Sequence, residues 1–251
     1  MFNINIEEII NIAIEAGEKL LQYYKLPIQV EFKSDNSPVT IADMEAHYII
    51  FNALAKLTPN IKIVSEENDE VENSKIRNDE TFWIIDPLDG TRSFISHAGY
   101  FTVNIALIKY NKPILGVIYA PLTQELYYCN GRNSFKRTIK EDIILSVSSY
   151  ANDFKIISGS AKTKPQILNK FKKYRIQSIR YLPSSIKFCY IADGSADIYP
   201  RFDNIMEWDT AAGQAIVEQA GGRVLTENMT RLEYGKLNFL NPRFTVTNGM
   251  I

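Results

Sequence analysis

The chain has little cysteine, almost no net charge and no long hydrophobic run, and each shortage closes off a class of protein. Cys129 and Cys189 are the only cysteines, with no companions at metal-ligand spacing. They read as free thiols in a reducing compartment rather than a disulfide framework. Lys and Arg number 28 against 29 Asp and Glu, a net charge of −1, so no broad basic field calls for a nucleic acid polymer. No apolar stretch reaches the ~20 residues that a membrane span needs, and Glu7 and Glu8 interrupt any signal-peptide core. The expected location is cytoplasmic, with peripheral attachment to an inner membrane left open. Histidine is equally scarce: His47 falls on a helical stretch as a packed or surface residue rather than a ligand, and His97 falls in a loop. There is no internal repeat and no low-complexity tract.

What remains is an ordinary globular composition, 45% hydrophobic and 23% charged. At 251 residues it suffices for one large domain or two closely packed smaller ones.

The stretch Trp83-Ile84-Ile85-Asp86-Pro87-Leu88-Asp89-Gly90-Thr91 organises the rest. A short apolar run reads as a buried strand that stops at Asp86, since Pro87 bars regular continuation. Two carboxylates three positions apart then meet a glycine, free to turn tightly, and a hydroxyl. Hard divalent cations want several oxygen ligands, and a carbonyl in an irregular turn can add one. The commonplace alternative is an Asx-type turn with capping aspartates.

Before this motif, apolar residues from Ile6 to Leu21 recur at helical spacing, predicting an amphipathic helix that ends before Pro27. Val30–Phe32 is a short extended piece and 33–38 a polar loop. Thr40 is placed to cap a second helix towards Leu57, with Asp43 in its first turn, where capping is the simplest role of a carboxylate. A strand over 61–64 leads to Glu66, the one acid of the charged 66–80 segment placed to turn inward. After Thr91, strands at 101–109, 113–119 and 125–128, joined by turns at 111–112 and 121–124, predict an antiparallel meander.

Small polar residues around 146–153 mark a boundary, giving an N-terminal α+β part over 1–147 and a C-terminal α/β part over 148–251. The second part alternates: strand 154–158, helix 165–174, strand 176–181, helix 184–193, strand 196–199, helix 209–220, strands 223–226 and 244–247. Gly221-Gly222 stops the last helix. Asp209 at its start reads as a cap. The small residues Thr210 to Gly213 let another backbone, or a phosphate, approach the helix N-terminus. Asp43, Glu66, Asp86, Asp89 and Asp209 are thus five carboxylates at element ends, a pattern suited to multi-metal phosphoryl transfer.

Asp86-Pro87-Leu88-Asp89-Gly90-Thr91 together with Trp208-Asp209-Thr210-Ala211-Ala212-Gly213 resembles the paired signature of the inositol monophosphatase superfamily. Ser37-Pro38-Val39-Thr40-Ile41-Ala42-Asp43 and Val64-Ser65-Glu66-Glu67 extend the likeness. Within the superfamily the chain looks most like bacterial 3′(2′),5′-bisphosphate nucleotidases of sulfur assimilation. That closer likeness rests on the runs Phe101 to Leu107, Lys112 to Val117, Ser185-Ile186-Lys187-Phe188-Cys189, Tyr199-Pro200-Arg201-Phe202 and Phe239-Leu240-Asn241-Pro242.

The resemblance implies an α+β sugar-phosphatase fold with αβαβα layers and a site between its two parts. It implies that Glu66, Asp86, the Leu88 carbonyl, Asp89 and Asp209 bind two or three Mg2+ ions, with lithium inhibiting at one position. Thr91 and Asp43 would orient the attacking water, with Glu66 also catalytic. The N–H groups of Gly90 and Thr91 would hold a phosphate oxygen. Asp89, Asp209, Ser185, Lys187 and Arg201 would contact the small phosphorylated substrate. The expected reaction is removal of the 3′-phosphate from adenosine 3′,5′-bisphosphate, by a chain expected to be a monomer rather than a homodimer.

Two departures bear on the substrate. Relatives carry Ser-Arg-Ser-His where this chain has Ser158-Gly159-Ser160-Ala161, and a glycine where it has Pro183. Rival readings are an inositol monophosphate or sugar bisphosphate at the same metals, and, in another class, an idle nucleotide-binding protein. An aspartyl-phosphate enzyme of the haloacid-dehalogenase type needs Asp-x-Asp, against Asp86-x-x-Asp89 here.

Overall fold

The structure is a computed structural model and describes residues 4–27, 30–32, 38–68, 73, 81–149 and 153–250. Most of the predicted 33–38 loop and most of the charged 66–80 segment lie outside the described residues.

Helix α1 (Ile6–Tyr24) and helix α2 (Ile41–Leu57) pack together and against one face of a seven-stranded sheet. Strands β1 (Val30–Phe32) and β2 (Pro38–Thr40) pair antiparallel between them in sequence. The large sheet runs in chain order: β3 (Lys62–Ser65), β4 (Thr81–Asp89), β5 (Thr102–Lys109), β6 (Lys112–Ala120), β7 (Glu125–Cys129), β8 (Ser134–Arg137) and β9 (Asp142–Ile144). Only β3–β4 is parallel within it, so the expected meander is present and two strands longer than expected. β8 and β9 are short, and β9 is wholly exposed, so neither carries a strong apolar pattern. The β5–β6 turn is Tyr110-Asn111, at φ 48° and 61°, not 111–112. A two-residue hairpin loop with both residues left-handed matches the twist of its strands.

A short helix α3 (Thr91–Ile95) follows β4. Beyond residue 153 a second sheet has the order β11-β10-β12-β16-β14. Its strands are β10 (Phe154–Ser158), β11 (Ile176–Tyr181), β12 (Ile198–Arg201), β14 (Arg223–Thr226) and β16 (Phe244–Thr247), while β13 (Ile205–Met206) pairs apart with β15 (Leu240–Asn241). Helix α4 (Lys164–Lys170) buries Ile167 on its outer face. Helices α5 (Ile186–Ala192) and α6 (Ala211–Gln219) lie between the two sheets, their apolar residues joining Ile84, Ala106 and Ile118 to Tyr199, Val224 and Val246 in one core. The layers are therefore helix, sheet, helix, sheet, helix, an α+β architecture.

Close contacts at α6 explain the run of small residues at its start. A Cβ on Gly116 of β6 would lie 2.6 Å from the Ala212 carbonyl, and one on Gly213 would lie 2.3 Å from the Phe188 ring of α5. The small face that was open to either a backbone or a phosphate is filled by β6 and α5. The helix also starts at Ala211, so Asp209 does not lie on it.

Candidate functional site

Strand β4 does not stop at Asp86. It runs to Asp89, and its pairing with β5 shifts on the way: Asp86 opposes Asn104 while Asp89 opposes Thr102. Three steps along β4 thus match two along β5, a one-residue bulge, which is where a strand accepts proline. The consequence is geometric. In a regular strand residues three apart point to opposite faces. Phe82 and Ile84 face the inter-sheet helices, while Trp83 and Ile85 face α1 and α2. The bulge switches that alternation, so Leu88 packs against α1 and α2 and both aspartates reach the same face.

Asp209 meets them there, in the turn before α6, where its Oδ2 accepts the Met206 N–H at 3.0 Å. Carboxylate oxygens of Asp86, Asp89 and Asp209 all lie within 4.8 Å of one another. Asp86 is fully buried; its Oδ1 accepts the Leu88 N–H at 3.0 Å, and its Oδ2 has no hydrogen-bond partner. Burial, then the charges of Glu66, Asp89 and Asp209, push the Asp86 carboxyl well above the usual range. Burial raises Asp209 as strongly, helped by Asp89 and Glu66. Burial also raises Asp89, against the opposing charge of Lys187. Such a set repels itself until something positive enters.

Glu66 sits just past β3 and acts on this group by its charge. The backbone before it is held by its neighbours. Asn73 Nδ2 donates to the Ser65 carbonyl at 2.8 Å, and the Ser65 hydroxyl lies 2.9 Å from His47 Nδ1. His47 is thus a packed histidine, while His97 lies in the exposed turn after α3, its ring against Tyr24.

Asp43 does two things at once. Its Oδ2 accepts from the Thr40 N–H (2.8 Å) and hydroxyl (2.6 Å), forming the capping arrangement of α2. Its Oδ1 faces Thr91 Oγ1 at 3.4 Å, and that hydroxyl lies 3.2 Å from the Leu88 carbonyl. Capping and site membership are therefore not alternatives. Burial raises the Asp43 carboxyl to about 6, against the Thr40 hydrogen bonds. Gly90, at φ 96°, turns the chain from β4 into α3.

The other side of the site comes from the loop before α5. Ser184 adopts φ 55° after Pro183, and its buried hydroxyl has no partner. The Ser185 N–H donates to Asp89 Oδ2, and its hydroxyl lies 2.7 Å from Asn104 Oδ1 and 2.8 Å from Thr102 Oγ1. Lys187 is buried, donates to the Ser184 carbonyl and lies over the Tyr199 ring at 5.3 Å. Burial brings its pKa down to about 8, with Asp89 opposing and the Arg201 charge adding to the fall. The Arg201 guanidinium occupies the space above Gly159, 4.0 Å from where a Cβ there would be. Asn104, Thr102 and Ser184 were not singled out from sequence. Their signal was register, because only the bulge places the first two opposite Asp86 and Asp89.

The inositol monophosphatase family model matches residues 5–249. The chain is 38% identical over 245 residues to a 3′(2′),5′-bisphosphate nucleotidase from Salmonella typhimurium, covering 96% of this chain and 99% of that one. It is 41% identical to the protein of the same description from Buchnera aphidicola, covering 95% and 92%. The crystal structure of CysQ from Bacteroides thetaiotaomicron, described as a bacterial member of the inositol monophosphatase family, superimposes with a TM-score of 0.81. It is 36% identical, and the match covers 98% of this chain and 97% of that one. A Thermotoga maritima inositol monophosphatase matches at a TM-score of 0.80 and 28% identity, covering 98% and 92%.

Proposed function

The chain belongs to the inositol monophosphatase family, and from that premise we propose that it is a magnesium-dependent phosphatase releasing the 3′-phosphate of adenosine 3′,5′-bisphosphate to leave AMP. One observation carries the reading: three mutually repelling carboxylates converge within 4.8 Å, and two cationic side chains stand beside them, Lys187 and Arg201.

The donor set fits a hard divalent cation. It offers only oxygens, and one of them, Asp86 Oδ2, is buried without a hydrogen-bond donor. Glu66, Asp86, Asp89, Asp209 and the Leu88 carbonyl would hold two or three Mg2+ ions. When bound, these supply charge neutralisation for the phosphate and a more acidic water. The protein's own part is orientation. Thr91 Oγ1 and Asp43 Oδ1 stand 3.4 Å apart, so both would hydrogen-bond one and the same attacking water. The N–H groups of Gly90 and Thr91, at the start of α3, would take a phosphate oxygen. The site falls between an N-terminal subdomain, 1–147, and a C-terminal one, 148–251.

The second phosphate is what selects the nucleotide. Lys187 is buried beside Arg201, and two adjacent cations are best relieved by an anion that both can grip. Arginine offers a planar fork and lysine a point charge. Gly159 and Ala161, where the resemblance leads one to expect an arginine and a histidine, add no contact of their own, so affinity for the bisphosphate should be poorer than in relatives. An inositol monophosphate would leave this pair unused.

Phosphate release from adenosine 3′,5′-bisphosphate, its sulfated relative, inositol monophosphate and fructose 1,6-bisphosphate tests the proposal, with and without chelator. Arg201→Ala should raise KM for the bisphosphate roughly ten- to a hundredfold, the value of a charged hydrogen-bond partner at ~1.5–3 kcal/mol. Turnover of a monophosphate should change little. Better kcat/KM on inositol monophosphate, with Arg201→Ala affecting both substrates equally, would remove the nucleotide assignment.

A further inference from the structure

Asn104 lies on β5 directly opposite Asp86, and Thr102, two residues earlier on the same face, lies opposite Asp89. Cross-strand partners bring their Cβ atoms to about 5 Å, so the Asn104 amide stands at the edge of the carboxylate group. It is almost completely buried, and its Nδ2 has no hydrogen-bond partner. An unpaired buried amide in a polar site is costly, so its orientation calls for a reason.

Ser185 supplies that reason. Its hydroxyl lies 2.7 Å from Asn104 Oδ1 and donates to it, while Thr102 Oγ1, 2.8 Å away, can donate to Ser185 in turn. With its oxygen held, the amide must turn its NH2 towards the carboxylates. The reverse assignment would set an amide oxygen against three carboxylates, acceptor facing acceptors. Ser185 also fixes Asp89 directly, because its backbone N–H donates to Asp89 Oδ2. One residue from the α5 loop therefore grips both the metal-ligand candidate and the amide beside it.

We propose that Asn104 is a positioning residue: its side-chain NH2, aimed by Ser185 and without a partner in the metal-free protein, takes an oxygen of the Asp89 carboxylate when a cation draws that carboxylate into place. The inference rests on the metal-site reading above. It assigns to Ser185 the work of orienting Asp89 and Asn104, in place of a direct substrate contact. An amide donor suits the task because it satisfies carboxylate lone pairs turned away from the cation without bringing a competing charge. Outer hydrogen bonds of this kind fix ligand geometry and typically change metal affinity by 10- to 100-fold when removed.

Calorimetric titration of Mn2+ and Mg2+ into the purified full chain tests this without reference to turnover. Asn104→Ala should raise the dissociation constant about 10- to 100-fold. Ser185→Ala keeps its backbone N–H and frees the amide, so it should raise the constant by a smaller factor. It also gives an independent reading should Asn104→Ala fail to fold. The double variant should bind no more weakly than Asn104→Ala alone, since both act through one NH2. A purely structural role for Asn104 would lower the melting temperature in chelator and leave the metal constant where it was. Unchanged constants in the variants, or losses that multiply in the double variant, would overturn the inference. Failure of the wild-type chain to bind either metal would instead overturn the metal-site reading itself.

Discussion

Asp86→Asn should stabilise the protein in chelator and fail to do so in magnesium. The carboxylates of Asp86, Asp89 and Asp209 lie within 4.8 Å of one another. At that separation and an effective dielectric constant of about 20, one pair of full charges repels by ~3.5 kcal/mol. If the fold instead takes up a proton at Asp86, holding it at about pH 7 against an ordinary carboxylate pKa near 4 costs ~4 kcal/mol. The two routes agree in size. Asparagine is isosteric, keeps an acceptor for the Leu88 N–H and puts an NH2 in place of Oδ2, the oxygen without a partner. For a chain of 251 residues each kcal/mol moves the melting temperature by about 2 °C. A gain of ~7 °C in EDTA should therefore be visible by differential scanning calorimetry. Magnesium at a thousand times its dissociation constant should raise the wild type by ~4.1 kcal/mol and the variant by far less. The difference in EDTA should then close. An Asn variant less stable than wild type in EDTA would refute the argument, as would an equal response of both proteins to magnesium.

Other outcomes follow from the same geometry. Asp43→Asn and Thr91→Ala should each lower kcat by roughly 10²-fold, and the double variant should be little worse than either, because one water is lost in each case; multiplicative losses in steady-state kinetics would separate the two groups. The metal-free protein should lose stability as pH rises. Asp43 is raised to about 6, and Asp86, Asp89 and Asp209 are raised too, so the native state binds more protons than the unfolded one from about pH 4 to beyond 6. Melting temperatures in EDTA across this range should fall and in magnesium should flatten; a rise with pH in EDTA would contradict the electrostatics. Gly213→Ala should destabilise by at least ~2 kcal/mol, since its methyl would enter the Phe188 ring, and urea unfolding would measure it.

Much of the architecture was legible because local signals were strong. The apolar spacing of α1, the Thr40–Asp43 pair at the start of α2 and the glycines after α6 each mark an element end in one short stretch. The five carboxylates were legible as residues but not as an arrangement. Pro87 was read as the end of a strand, whereas it sits in a bulge that keeps the strand going. Helix α4 stops at Lys170, short of the expected 174, and β8 and β9 lack an alternating apolar pattern. Asn104 and Thr102 looked like ordinary polar residues in a strand, since their meaning depends on what lies across the ladder. No single-strand pattern carries that information.

The bulge at Pro87 also divides the chain by its tolerance for altered length. Before it, β4 commits Phe82 and Ile84 to one core and Trp83 and Ile85 to the other. After it, Asp89 and Leu88 depend on the parity having been switched once. An inserted or deleted residue anywhere between 86 and 89 would switch it again and turn Asp89 into the α1–α2 core, whatever its identity. At the β8–β9 hairpin end, residues 138–141, which are exposed and whose hydrogen bonds stay within the turn, the same edit alters only a surface loop. Libraries that vary loop length to change substrate range can therefore draw on that hairpin end, but must treat positions 86–89 as a fixed count rather than a fixed sequence.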